Sequence, residues 1–466
     1  MSSQHREVVV IGAGISGLVC AYRLKMLGVD VALIEKSHRI GGVIRSERID
    51  GFLIERGPNS SQGTEELLAL VCELGIESEL VEGDSKAPAY VFFNGGLHAV
   101  PSGPGALISS RLLSARGKLR ILKEPLVPVR RSGGEESVAA FARRRIGGEA
   151  AERLVAPFVA GIYAGDAEQL SVQAAFPRLA NLETGYGGLF RGTFAKAREA
   201  RKAKKAASAV LQKAAPTRRR LCSFRKGMEF LPATLAEKIG EELITSCEEL
   251  RVSRACDGIA EIFYRRSGAV HRLTANRVVI STPASAAASL VASWSGELSQ
   301  LLGEIEYPPL AIASLAYDQS RIKTELDGFG FLAPPTEGLK ILGCVWNSSL
   351  FPDRAPSGQA LITAFVGGAL NPSAARAPDS ELVASTHGEL KRVLGITADP
   401  RVVAITRYER SIPQYNLGHF ARVRRIEQLV SETRELGLIG NYLHGVSTGD
   451  CIKEADRVAR SAFKRI

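Results

Sequence analysis

The sequence predicts an α/β protein built around one discontinuous βαβ-type domain, with the middle of the chain forming a second region. Three observations predict this. Residues 7–36 read as strand, glycine turn, helix and strand. Two further glycine turns follow without an intervening helix. Residues 436–463 then repeat strand, glycine turn and helix at the other end of the chain, so both ends contribute to one site.

The first element is the apolar run Glu7-Val-Val-Val-Ile11, followed by Gly12-Ala13-Gly14-Ile15-Ser16-Gly17. Helical spacing runs from 18 to 27, and a second strand, 29–34, closes on Glu35. This is a dinucleotide fingerprint in its required context. Gly12 permits the tight turn, Gly14 lets backbone approach a pyrophosphate, and Gly17 packs helix against strand. The pyrophosphate belongs on the helix N-terminus, where free N–H groups and the helix dipole favour an anion. Glu35 lies 18 residues after Gly17, at a strand end, where a carboxylate can accept from both ribose hydroxyls.

An NAD dehydrogenase would continue into a helix and a third parallel strand. This chain instead makes the turns Arg39-Ile-Gly-Gly-Val-Ile-Arg45 and Gly57-Pro58-Asn59-Ser60. They suit backbone lying along an extended cofactor and favour FAD over NAD. Further on, helical segments at 65–74, 137–146 and 231–239 alternate with strands at 89–93, 310–317 and 360–365. Residues 251–264 and 271–280 read as a hairpin leading into a buried strand that ends at Thr282-Pro283. Near the C-terminus, 436–441 is a strand entering glycines, and Gly445-Val446-Ser447-Thr448-Gly449 opens the last helix. There is no second fingerprint in a strand–turn–helix context, hence no separate NAD(P)H site. Electrons are expected to arrive from a substrate and leave to oxygen or a carrier, as in an oxidase or desaturase.

Composition bounds the remaining classes. The 466 residues are 45% apolar and 23% charged, ordinary for a folded chain, and the length prior of ~150 residues per domain allows about three units. Seven scattered cysteines without a Cys-x-x-Cys pair argue against a disulfide scaffold, a zinc ribbon or a thioredoxin-type redox pair, and no metal site is expected. The chain reads as reduced and cytoplasmic, without a signal peptide. Residues 278–296 lack charge, but Pro283 and several serines break them, so they read as strand, turn and helix start rather than a membrane span.

The net charge of +11 is concentrated: 191–220 holds eleven Lys or Arg against one acid, Glu199. This is either a solvated insert or a polybasic patch for an anionic membrane surface or an acidic partner. Nucleic acid is not expected, because no aromatic residues interleave with the charge.

Together these residues resemble the oxygen-dependent protoporphyrinogen oxidase family, within the amine oxidase and phytoene desaturase group. The resemblance runs nearly end to end. Beyond the fingerprint it rests on Phe141-Ala-Arg-Arg-Arg-Ile-Gly147, Pro157-Phe-Val-Ala-Gly-Ile-Tyr-Ala-Gly-Asp166, Ser223-Phe-Arg-Lys-Gly-Met228, Gly328-Phe-Gly-Phe-Leu332, Phe351-Pro-Asp-Arg-Ala-Pro356 and Ile412-Pro-Gln-Tyr-Asn-Leu-Gly-His419. The Gly-Ile-Tyr-Ala-Gly-Asp and Ile-Pro-Gln-Tyr runs are the specific ones.

The resemblance implies a Rossmann-like FAD-binding domain of amine oxidase type (1–85, 222–300 and 425–466). It also implies a largely helical substrate- and membrane-facing region (86–190), a basic insert (191–221) and an α+β substrate-binding domain (301–424). It implies that FAD is held non-covalently by Gly12–Gly17, Glu35, Lys36, Gly42, Val43, Arg45, Gly57, Pro58, Asn59 and Ser60. Leu250 would contact the adenine side through its backbone, and Asn441, Val446, Ser447 and Thr448 would hold the flavin end. Asn59 would lie near both flavin and substrate, as the catalytic candidate.

For the tetrapyrrole, the Gly161 carbonyl would face the pyrrole N–H groups while Leu332, Val345 and Phe365 pack the macrocycle. The implied activity is oxidation of protoporphyrinogen IX to protoporphyrin IX with oxygen, in haem biosynthesis. Oxidation of coproporphyrinogen III to coproporphyrin III is the alternative, and another flavin oxidase or a membrane-docked binding protein is more distant. Implied partners are the inner face of the cell membrane or a neighbouring haem-pathway enzyme, and a second copy in a homodimer.

One departure bears on the substrate. Members acting on protoporphyrinogen often carry a basic residue where this chain has Ala89, with Lys86 the nearest charge. Of the remaining residues, His419 and His444 read as packing or surface residues, Trp294 as packing, and Trp346 as packing within reach of the pocket rim. Arg143–Arg145 read as a solvated run, and Cys451 as a free thiol rather than a flavin tether.

Overall fold

A computed structural model describes residues 4–84, 86–130, 133–207, 221–255 and 258–463. The chain divides into two compact units. One comprises Met1–Ser85, Arg219–Glu306 and Ala421–Ile466, the other Lys86–Arg218 and Tyr307–Phe420.

The first unit is built on the strand Gln4–Ile11, which pairs in parallel with Val31–Ile34 on one side and Ala269–Ile280 on the other. Leu243–Ile244 extends the sheet beyond Val31–Ile34. Ala260–Arg266 and Glu248–Arg254 continue it antiparallel at the opposite edge, and Leu436–Leu438 pairs in parallel with the end of Ala269–Ile280. Val8 to Ile11 are buried on both faces, which is why they form a continuous apolar run rather than an alternation. The helix Ile15–Met26 is likewise enclosed: Leu18 to Tyr22 and Leu24 are all buried. It packs against the helices Phe230–Ile239 and Thr448–Phe463 in one core. Burying a side chain such as Leu18 contributes roughly 1.5–3 kcal/mol.

The helix Glu65–Leu74 coincides with the sequence expectation because its ends are coded locally. Thr64 Oγ1 accepts from the Leu67 N–H, Glu65 and Glu66 occupy the first turn, and Gly75 closes it at φ +70°. The uncharged stretch from 278 divides as expected, into the end of Ala269–Ile280 and the helix Ala284–Val291. Among the described residues no helix is long and apolar enough to cross a membrane.

The second unit carries a sheet in the order Arg401–Tyr408, Leu310–Asp318, Gln359–Gly367, Ile341–Trp346, Gly330–Leu332, Ala89–Phe93, Gly96–Ala99. It is antiparallel except where Gly330–Leu332 meets Ala89–Phe93. Phe331, Cys344, Trp346, Ile362 and Ala364 form a core with Leu382, Leu390 and Leu394 of the helix Asp379–Leu394. Trp346 is therefore fully buried in that core, 5.6 Å from the Tyr90 ring. It is packing, as expected, but it lies on the opposite sheet face from Val345 and does not reach a rim.

Arg143–Arg145 correct a second expectation: the run is not simply solvated. Arg145 is completely buried and ion-paired with the equally buried Glu124, while Arg144 bridges Glu136 and Glu183 at 2.7 Å each. Arg143 pairs with Glu168 near the surface. The acids lie 8 to 39 residues away from these arginines, so a helical reading of the run alone could not find them. The helix Leu189–Ala207 carries the start of the basic segment; 208–220 lie outside the described residues.

Candidate active site

The fingerprint loop is formed by close backbone approach. Gly12 has φ +103°, and a Cβ there would lie 3.0 Å from the Ser281 carbonyl oxygen. A Cβ on Gly17 would lie 1.9 Å from the Gly12 carbonyl oxygen, so the helix can start at this point only with glycine there. Gly14, the N-cap, has open space where its Cβ would be. No side chain caps the helix at Gly14, and its first turn holds no acid, while Arg23 and Lys25 occupy the last. Its leading N–H groups are thus available to an anion.

The two following turns stack on this loop. The Gly41 N–H donates to the Ala13 carbonyl at 2.7 Å. A Cβ on Gly42 would lie 3.3 Å from the Gly14 Cα, and one on Gly57 would lie 2.0 Å from the Val43 carbonyl oxygen. Gly14, Gly42, Val43 and Gly57 therefore form a continuous backbone row, leading to Pro58, buried Asn59 and Ser60. Lys36 and Arg45 are exposed at its margin.

Glu35 ends the second strand with its carboxylate accepting from the backbone N–H groups of Ala13 and Ser37. Its own backbone is held by Ile244 and Cys247, three residues before Leu250 at the bulge in Glu248–Arg254. At the C-terminal end, Asn441 and Val446 lie half-buried. Ser447 caps the helix Thr448–Phe463: its Oγ donates to Asp450 Oδ2 at 2.5 Å and accepts the Asp450 N–H at 3.1 Å. Cys451 is buried beside Ser16, and burial pushes its thiol up to about 11. His444 is at the surface and pairs with Glu427.

These residues fit FAD. Besides the uncapped helix start, the hydroxyls of Ser281 and Thr282, beside Gly12 and Gly17, are buried without a hydrogen-bond partner. Sequence reasoning saw Thr282 only as the end of a strand. It also missed Arg39, whose guanidinium clamps the first turn by donating to the carbonyls of Ile40, Gly42 and Ile44. An arginine directly before Ile-Gly-Gly was the available signal.

In the second unit, strand register gathers the expected substrate residues. Leu332 pairs with Gly343, Gly343 with Phe365, and Val345 with both Gly330 and Thr363. Alternation puts Leu332, Val345 and Phe365 on one face, with Val91 beside Leu332 and Ile312 beside Phe365. Gly161, exposed in the last turn of the helix Ala156–Tyr163, lies against Leu332: a Cβ there would be 2.4 Å from a leucine methyl. Ala89 is half-buried on the same face. Arg153 lies 4.3 Å over the ring of Phe93, at the other end of the Ala89–Phe93 strand, and pairs with Glu149. His419 is a buried packing residue stacked on Tyr415 at 4.3 Å.

Comparison with known proteins gives a match of residues 15–462 to the flavin-containing amine oxidoreductases. The chain belongs to that family. It is 34% identical to the chloroplastic protoporphyrinogen oxidase of Nicotiana tabacum, over 97% of this chain and 84% of that one. It is 28% identical to the coproporphyrinogen III oxidase of Bacillus subtilis (strain 168), over 99% of both. Its structure superposes on a candidate protoporphyrinogen oxidase of Exiguobacterium sp. 255-15 with a TM-score of 0.81, at 26% identity and full coverage of both chains. As a member of this family it is a flavin oxidoreductase that uses FAD.

Proposed function

We propose that the protein is a FAD-dependent porphyrinogen oxidase of haem biosynthesis, taking protoporphyrinogen IX to protoporphyrin IX with oxygen as acceptor. The observation that carries this reading is the 34% identity to a protoporphyrinogen oxidase, sustained over 97% of the chain. The sheet face of Leu332, Val345 and Phe365 supports it, since a large flexible macrocycle needs wide apolar contact with few fixed polar groups.

Bound FAD supplies the acceptor for hydride lost from a ring-bridging carbon. The chain's own residues position the ring. Gly161 offers a carbonyl to a pyrrole N–H, and its missing side chain leaves room for Leu332 to lie close. Positive charge developing on the ring is spread over the pyrroles, so no strong side-chain base is required. Asn59, buried in the row that follows Gly57, is the side chain assigned to orient flavin and substrate.

Oxidation of coproporphyrinogen III is the second reading. Ala89, half-buried on the apolar face, brings no cation for a propionate, and the Bacillus relative matches 99% of the chain. Anaerobic mixing tests both readings. Bleaching of the flavin by one or both porphyrinogens, and not by amines, supports porphyrinogen oxidation, and their relative rates choose the substrate. Absence of bleaching by either overturns it. Reoxidation by oxygen on the turnover timescale then tests the acceptor.

The same reading includes non-covalent FAD and a cytoplasmic enzyme attached peripherally to the inner membrane face. Support comes from the helix Leu189–Ala207, where Arg191, Arg198, Arg201 and Lys202 are exposed beside Phe194, itself 77% exposed. Ile108, Leu122 and Leu126 are further large apolar side chains left in solvent in the same unit. Apolar contacts flanked by cations suit an anionic lipid surface.

A further inference from the structure

Gln414 is 3% exposed, and neither FAD binding nor apolar packing of a macrocycle calls for an amide there. Its Nε2 donates to the Tyr163 carbonyl at 2.8 Å and to the Ile412 carbonyl at 2.9 Å. Tyr163 ends the helix Ala156–Tyr163, and the next residue, Ala164, is left-handed at φ +48°. That conformation is uncommon for a residue other than glycine. The last four carbonyls of a helix have no intrahelical donor. Gly161 is in this group, on the same turn as Tyr163.

The surrounding contacts serve the same turn. The Ala164 carbonyl accepts the Ala369 N–H at 2.7 Å. The Ser171 N–H donates to the Tyr415 carbonyl and the Leu417 N–H to the Gln169 carbonyl, both at 2.8 Å. The Tyr415 ring lies 5.8 Å from that of Tyr163. A Cβ on Gly165 would lie 2.5 Å from Gln414 Oε1, so glycine at 165 makes room for the amide. The Ile412–His419 run thus forms a brace along the end of the helix, and the Gln414 side chain is its hydrogen bond to the Tyr163 carbonyl.

We propose that Gln414 is a positioning residue for the substrate: by holding the Tyr163 carbonyl it fixes the final helical turn, and with it the direction of the Gly161 carbonyl. This rests on the reading of that carbonyl as the acceptor for a pyrrole N–H. Without the two donated bonds, the Tyr163 carbonyl turns to find another donor and Ala164 relaxes toward the right-handed region. The Gly161 carbonyl then points away from the ring.

The test uses the full-length FAD-loaded protein, with Gln414→Met, Gln414→Glu and Gly165→Ala, and reads anaerobic flavin bleaching against porphyrinogen concentration. All three variants are expected to weaken porphyrinogen affinity by roughly tenfold, while the limiting bleaching rate, FAD content and melting temperature stay near wild type. For Gln414→Glu the deficit relative to wild type shrinks as pH falls, because the protonated carboxyl regains one donor to Tyr163. If Gln414→Met does not fold, that pH-dependent recovery still decides the matter. Wild-type affinity in the variants, or a loss that follows FAD content and melting temperature, overturns the positioning role alone. A wild-type protein that no porphyrinogen bleaches overturns the functional reading, and this inference with it.

Discussion

The backbone N–H of Ala13 donates to Glu35 Oε2 at 2.7 Å, and the N–H of Ser37 donates to Oε1 at 2.8 Å. One carboxylate therefore joins the glycine loop to the end of the second strand, with lone pairs left for ribose hydroxyls. Glu35→Gln preserves the shape but replaces one acceptor with a donor. FAD affinity is expected to fall by about 1.5–3 kcal/mol, the range for a hydrogen bond to a charged group. Fluorescence titration of the apoprotein measures it, and unchanged affinity would place the ribose elsewhere.

Burial pushes the thiols of Cys20 and Cys344 up to about 12 and that of Cys451 up to about 11, from an ordinary value of 9.0. Between those values the folded chain retains protons that the unfolded chain has lost. Stability is therefore intact below pH 9 and declines as pH rises toward 11, by up to about 1.4 kcal/mol per pH unit for each thiol. Urea unfolding across that window tests the slope, and Cys451→Ala should make it shallower while Cys20 and Cys344 maintain the rest. A protonated thiol is also a poor nucleophile, so acid precipitation should release all the flavin into solution.

Phe365 lies on the apolar sheet face, opposite Ile312 on one neighbouring strand and Gly343 on the other. Phe365→Ala should cost about 1–3 kcal/mol of porphyrinogen binding and leave FAD content unchanged. On the same face, Ala89→Arg should shift preference toward protoporphyrinogen by pairing a propionate. Normal KM in the first variant would move the pocket; unaltered preference in the second would mean that the tails are held elsewhere.

Glu124 pairs with Arg145 in full burial and also accepts the backbone N–H groups of Leu189 and Phe190 at 2.8 and 3.1 Å. Arg145→Met strands that carboxylate, and a loss of about 3–5 kcal/mol is expected. Adding Glu124→Leu should restore part of it, since both charges are then gone. Thermal unfolding of the single and double variants checks this, and strictly additive losses would argue against coupling.

Reversing charge at Arg198, Arg201 and Lys202, with Phe194→Ser, should release the protein from anionic vesicles. Each basic residue near such a surface contributes roughly 1 kcal/mol, within a Debye length. Turnover in detergent should not change. Vesicle sedimentation that matched wild type would leave the segment a solvated insert.

The legible parts of this chain were those coded over a few residues. Thr64, Glu65 and Gly75 mark both ends of one helix, and Gly12, Gly14 and Gly17 mark a loop by their spacing alone, although the residues packed against Gly12, Ser281 and Thr282, lie far along the chain. The strand register that gathers Leu332, Val345 and Phe365 joins segments far apart in sequence; here only family resemblance pointed to the grouping. Partners set by tertiary packing were illegible. Arg145 looks like its neighbours until Glu124 is brought against it, and Trp346 takes its side of the sheet from pleat parity. Gln414 stood in a conspicuous run, but its role depends on where the end of a helix some 250 residues earlier comes to rest.

The helices Ile15–Met26 and Thr448–Phe463 share one core, with Leu18 and Val19 from the first and Ile452 and Ala455 from the second. During synthesis the first of these helices leaves the ribosome more than 400 residues before its partner. Until then the part of its surface that Ile452 and Ala455 cover is left open, and such surface is prone to aggregation. The core of the first unit can therefore close only once both helices have been made.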